Sequence, residues 1–171
     1  MIRVDLSVLE ERLEEDAAAL EAAARPASQA AAQVFYIAAR RNVMEIRRKS
    51  GNLINSIYQA YSERSSGVGK ATYHVSWNPR KAKHGHLLEW GHIQRYVSYV
   101  GSDGNWYTAI RPEMRGKPKP KRKATQTTKD AYYVPLKEPK QIAAKAFMRR
   151  AGSMSEQAVA AATAEIMRAI E

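Results

Sequence analysis

Alanine is so unevenly placed in this 171-residue chain that it divides the sequence into three parts. Of 28 Ala, 22 lie at 17–39 and 143–169. Ala gives up no side-chain freedom in a helix and is the strongest helix former, so both ends are expected to be helical. In the first block Leu6, Leu9, Leu13, Ala17, Leu20 and Ala24 recur at three and four residues, with acids on the opposite face. Pro26 either kinks this helix or opens a new one at its first turn. The pattern resumes through Val34, Ile37, Ala38 and Ile46. It closes on Arg47, Arg48, Lys49 and Ser50-Gly51, cations and a glycine that make a helix stop. A helix with so thin a stripe is poorly stable alone. Residues 1–49 are therefore expected to form an N-terminal arm, kinked near Pro26, that packs on neighbours.

The middle has the composition of strands. Residues 56–63 and 70–77 are rich in Tyr, Ile, Val, Thr and Trp, and Ser65-Ser66-Gly67-Val68-Gly69 separates them, which predicts a hairpin. A second hairpin is predicted from 94–100 and 105–111 around Gly101-Ser102-Asp103-Gly104. Residues 84–90 read as a short helix or a turn. Pro112, Pro118 and Pro120, interleaved with Lys and Arg, argue for a long irregular loop over about 112–129. Tyr132-Tyr133-Val134 reads as a last short strand. Residues 142–150 and 155–170 read as a closing helix pair broken at Gly152-Ser153. The expected fold class is α+β: a small antiparallel sheet of two hairpins, packed with the long N-terminal helical arm and the C-terminal helix pair. Residues 50–171 would be the core domain, with an inserted hairpin and basic Pro-rich loop at about 93–139.

Charge adds polarity to this plan. The chain carries 28 Lys and Arg against 17 Asp and Glu, a formal net charge of +11. Residues 1–24 hold seven acids and two bases, whereas 111–123 hold seven bases and one acid. Opposite charge at separate places suits self-association or docking beside nucleic acid. Cysteine is absent, which excludes disulfides, a thiolate nucleophile and a zinc site built on sulfur. Arg3, Asp5, Glu10, Glu11 and Arg12 stand where a secretory signal would need an apolar core. The apolar run at 30–39 is short and broken by Gln33, so a soluble protein without a membrane partner is expected.

Reaction chemistry has few candidates. His84, His86, Glu89 and His92 are the only metal-like cluster, and a zinc-dependent enzyme centred on His84, His86 and Glu89 is a third reading. Their spacing argues against it: His84 and His86 share a side on a strand, His86 and Glu89 on a helix. Gly67-Val68-Gly69-Lys70 resembles the end of a phosphate loop, but Ala71 stands where a magnesium-binding hydroxyl belongs. Only Glu45, Glu63, Glu89 and Asp103 are carboxylates of the expected folded middle, too few for a paired-carboxylate or two-metal hydrolase. No catalytic residue, cofactor or metal is expected. Arg111, Arg115, Lys117, Lys119, Lys121, Arg122 and Lys123, flanked by Tyr107, Tyr132 and Tyr133, offer contact with DNA or a partner. The prolines between them favour an extended, sequence-blind arm over a groove-reading helix.

Three blocks then stand in order: Ser50-Gly51-Asn52-Leu53 with Ser56-Ile57; His84-Gly85-His86-Leu87-Leu88-Glu89-Trp90-Gly91; and Ala144-Lys145-Ala146-Phe147-Met148-Arg149-Arg150-Ala151. Together they resemble the tail-component family of long-tailed bacteriophages, the neck and tail-completion proteins. Ser50 stands where the family has Thr, as does His92 after Gly91, and Ala146 and Arg150 replace prolines. The resemblance implies a structural virion protein at the head–tail junction or tail completion, made in the host cytoplasm. It implies a homo-oligomeric ring that meets adaptor, stopper, terminator or tube proteins, and packaged DNA. It assigns structural roles to Gly51, Leu53, Ser56, Glu89, Gly91 and Phe147. The alternative is a small basic protein that binds nucleic acid without sequence preference.

Overall fold

The computed structural model describes residues 7–46 and 51–171. Leu6, the expected helix stop at Arg47, Arg48 and Lys49, and Ser50 of the first block lie outside the described residues. The fold is α+β, and the chain forms two compact units. One takes in the described residues up to Glu89 together with Lys145–Glu171; the other is Trp90–Ala144. The stretch 93–139 falls inside the second.

In the first unit, α1 (Ser7–Met44) is one helix that runs through Pro26. No second helix opens at the proline. Its ring removes one hydrogen bond, but strong helix formers on both sides and burial of Ala23 and Ala27 hold the turn together. Two strands follow, β1 (Ile57–Tyr61) and β2 (Tyr73–Trp77), antiparallel with Ile57 opposite Trp77 and Tyr61 opposite Tyr73. The first hairpin is thus where the strand-forming residues put it. A short helix, α2 (Gly85–Trp90), comes next.

The C-terminal helices are α4 (Phe147–Ala151) and α5 (Ser155–Ile170), joined by a tight turn at Gly152–Met154. The helix expected from 142 starts only at Phe147. Ile142 is held in a strand opposite His92, and Ala146 sits at φ 48°, a left-handed conformation that no continuing helix accepts. Phe147 lies by Asn42 near the end of α1, and Ala151 and Gly152 share a groove with Ala31, Ala32 and Phe35. The chain then continues as α5 antiparallel along the first half of α1, where Ala23, Ala27 and Ala158 are buried. Alanine at this seam lets the two backbones approach closely, at the cost of a thin core.

The core proper joins Ala38, Ala39 and Val43 of α1 to Leu53, Ile54, Ile57, Ala82, Phe147 and Ala151. Phe147 is fully buried and meets Trp77 edge to face at 5.5 Å between ring centroids. Asn42, also buried, donates to the Phe147 carbonyl at 2.9 Å.

The second unit contains β3 (His92–Tyr96), β4 (Ser98–Val100), β5 (Trp106–Thr108), α3 (Gln126–Tyr132) and β6 (Pro135–Ile142). The expected strand 94–100 is broken at Val97. Its first half pairs with β6, from His92 opposite Ile142 to Tyr96 opposite Pro135, and its second half forms the hairpin with β5. Among the described residues the ladders are three separate strand pairs, not one sheet.

Two further expectations need correction. Helix α3 occupies part of the stretch expected to be irregular. Pro112, Pro118 and Pro120 all precede it, and Thr125 caps it by accepting from the Thr128 N–H. The last strand is β6, not Tyr132-Tyr133-Val134: Tyr132 ends α3, and Tyr133 makes only an isolated bridge to Ile110. Strand β6 carries Pro135, Pro139 and exposed Lys and Glu, a composition that hides an edge strand. Pro135 opens the strand, and Pro139 lies where the register with β3 slips.

Candidate functional site

The three blocks supply one buried joint in the first unit. Leu53 and Ser56 are buried, and the Ser56 hydroxyl donates to the Leu53 carbonyl at 2.7 Å, closing the helical turn that feeds β1. Gly51 enters that turn at φ +73°, a conformation a side chain strains. Glu89, at the end of α2, is only 2% exposed. Its carboxylate accepts from the Met148 N–H at 2.9 Å, the Arg149 N–H at 3.0 Å and the Arg149 Nε at 3.3 Å. The Arg149 guanidinium also donates to the Glu89 carbonyl at 2.8 Å, and the Lys145 N–H donates to the Leu88 carbonyl at 2.7 Å. A carboxylate thus sits on the first turn of α4, where free N–H groups and the helix dipole favour it. The chemistry of this site is fastening. Both carboxylate oxygens are engaged by the chain itself.

Gly91, which closes the second block, lies in the second unit at φ +73°. A Cβ there would stand 2.6 Å from the Ile142 carbonyl and 2.8 Å from the Ala144 nitrogen, so only glycine admits this close strand return.

The histidines do not gather around Glu89. His84 and His86 are exposed, and the Nδ1 of half-buried His92 has no hydrogen-bond partner among the described residues. No group of three or more His, Asp or Glu able to hold a metal occurs among the described residues. Two open grooves of about 480 Å³ each flank α1. One is lined by amides and phenols, including Gln29, Gln33, Tyr36 and Tyr73; the other is mostly apolar around Ala32, Phe35, Val75 and Met148.

The seven bases divide by role. Arg111 is half-buried and spent internally: its Nε donates to the Asp130 carbonyl at 3.1 Å and the Tyr133 carbonyl at 3.3 Å, and its Nη1 lies 3.9 Å from Glu113. Arg115, Lys117, Lys119, Lys121, Arg122 and Lys123 are exposed, and none forms an ion pair with a described residue. Their backbone is tied down nonetheless. Tyr132 donates its hydroxyl to the Lys117 carbonyl at 3.0 Å, and Lys129 Nζ donates to the Arg122 carbonyl at 2.9 Å. The composition of the stretch carried no sign of these anchors, because both come from α3. That helix is itself held by Asp130, which accepts from the Tyr96 hydroxyl at 2.8 Å and from Gln126 at 2.7 Å. The Tyr96 bond, then that of Gln126, lowers the Asp130 carboxyl from its ordinary range.

The same unit exposes an aromatic hairpin: Tyr99, Val100, Trp106 and Tyr107 are each about half exposed. Its turn is organised by Asp103, which accepts from the Tyr107 hydroxyl at 2.6 Å and from Asn105. The Tyr107 bond, then those of Asn105, hold this carboxyl down to about 2. A depressed folded-state pKa stabilises the turn above the unfolded value, with the support lost as pH falls toward 2. The Asp103 carboxyl is expected to titrate near 2 by NMR, and Tyr107→Phe to move the midpoint up toward 3.8. An unchanged midpoint in that variant would remove Tyr107 as the cause.

The arm is the last element. Every residue from 11 to 18 is exposed, Leu13 is 59% and Leu20 47% exposed, and Ala23 begins the buried seam with α5. Against known proteins, no family model matches the chain, and neither a curated protein nor a solved structure is detectably similar to it.

Proposed function

We propose that this chain is a structural protein of a long-tailed bacteriophage virion, working at the neck or in tail completion as one subunit of a ring. The observation that carries the reading is the convergence of Leu53, Ser56, Glu89 and Phe147, one or more from each motif block, on a single interior joint. Glu89, the carboxylate of that joint, is buried with both oxygens engaged by the chain itself, which supports an architectural role for it. The exposed arm and the exposed basic segment are surfaces for neighbours: adaptor, stopper, terminator or tube proteins, and packaged DNA.

The test is genetic and chemical. The protein is expected in purified particles of the phage that encodes it. Deleting residues 1–18 is expected to leave a folded chain, since residues 11–18 are exposed, but to yield heads and tails that do not join. Normal particles that lack the protein would refute the assignment. A second reading, sequence-blind nucleic-acid binding, is favoured by the six unpaired bases at 115–123. It requires tight duplex binding by the isolated protein, with affinity falling by about 0.9 log unit per log unit of salt for each phosphate neutralised.

A further inference from the structure

We infer that the acidic arm of one subunit docks on the basic Trp90–Ala144 unit of a second copy, making a head-to-tail contact. This deepens the ring-forming part of the proposed function and rests on that part alone.

The argument starts from two surfaces left open. Among described residues of the arm, Glu11, Glu14, Glu15 and Asp16 are exposed beside a single base, Arg12, and Glu21 continues the series. Leu13, Ala17 and Leu20 recur at four and three residues, so they share a face, with Glu14 and Glu21 one step around the helix. Ala23 and Ala27 are taken by the α5 seam, whereas Leu13 and Leu20 remain uncovered. A solvated helix needs no such leucines. An acidic helix with an open apolar stripe is shaped for a surface that is both basic and apolar.

The second unit offers that chemistry. It holds eleven Lys and Arg against four Asp and Glu. Six of the bases are concentrated in the anchored segment 115–123 and unpaired, and the unit also exposes Tyr99, Trp106 and Tyr107. Residues 11–24 of the arm measure about 20 Å at 1.5 Å per residue, a length that an irregular segment of nine residues can match. Duplex DNA would satisfy the bases but leave both Leu13 and the acids of the arm unmatched. A second copy satisfies both surfaces at once. Since each subunit uses two different patches, the contact is heterologous, the type from which a ring is built when its rotation closes.

The experiment uses charge reversal in the full chain, with mass measured in solution at low ionic strength and folding checked by circular dichroism. The wild-type protein is expected to form oligomers that dissociate as salt rises. Glu11→Lys with Glu14→Lys and Glu15→Lys is expected to abolish them, as is Lys119→Glu with Lys121→Glu and Lys123→Glu. A chain carrying all six reversals is expected to assemble again, a rescue that loss of folding cannot mimic. A wild-type chain that stays monomeric, a single-surface variant that still assembles, or a folded six-fold variant that stays monomeric would overturn the inference. So would assembly that appears only when duplex DNA is added, which would assign the bases to phosphate. These measurements need no virion, so absence of the protein from phage particles would sink the functional proposal and leave this one standing.

Discussion

Phe147→Ala is expected to lower the unfolding free energy by about 3–5 kcal/mol, the usual cost of truncating a large buried aromatic side chain. The ring is fully buried among Ala38, Ala39, Val43, Leu53, Ile54 and Ile57, and meets Trp77 edge to face. Small alanines on α1 cannot swing inward to fill the void, because their Cβ atoms move only with the helix backbone. For a protein of this size the melting temperature is expected to fall by roughly 10 °C. The Trp fluorescence of the folded state is expected to change as well, since Trp77 loses its neighbour. A variant within about 1 kcal/mol of the wild type would mean that α4 is not the keystone of the first unit. Phe147→Leu, which keeps most of the volume, is expected to lose much less.

The second large effect is expected at Glu89. Glu89→Ala removes the acceptor for the Met148 and Arg149 N–H groups and leaves the Arg149 guanidinium without its carboxylate. Breaking a buried charged pair from one side typically costs about 3–5 kcal/mol. Arg149 is half exposed and can turn to water, which places the expectation at the lower end, about 3 kcal/mol. Glu89→Gln restores one acceptor but turns an NH2 group toward donors, so it is expected to recover only part of the loss. Chemical denaturation of the three proteins measures this order. Equal stability of Glu89→Ala and wild type would show that the joint does not depend on the carboxylate.

Phe147 and Glu89 stand 58 positions apart, and nothing local to either says that they meet. Their blocks are visible as short ordered motifs. The partner of Glu89, however, is the free end of a five-residue helix whose start depends on Ala146 adopting a left-handed turn. No propensity scale selects alanine for that conformation. The basic segment is likewise ordered from elsewhere in the chain. Its charge and prolines were plain, but its order comes from Tyr132 and Lys129 on a helix that the prolines masked. Strand β6 was hidden because its pairing partner, not its own composition, makes it a strand.

What the sequence determined by itself depends on neighbours within a few residues. The Ala blocks fix helices at both ends, because helix propensity sums along a segment. The β-branched and aromatic run fixes the first hairpin, and Gly101 to Gly104 fixes the turn of the second. The placement of charge is likewise written in order along the chain. Tertiary structure decided which strands pair, where the C-terminal helix begins, and which polar groups are consumed inside. Those outcomes turn on burial and on hydrogen bonds between residues tens of positions apart. A buried carboxylate or N–H must find a partner, and only the packed chain determines which one is within reach.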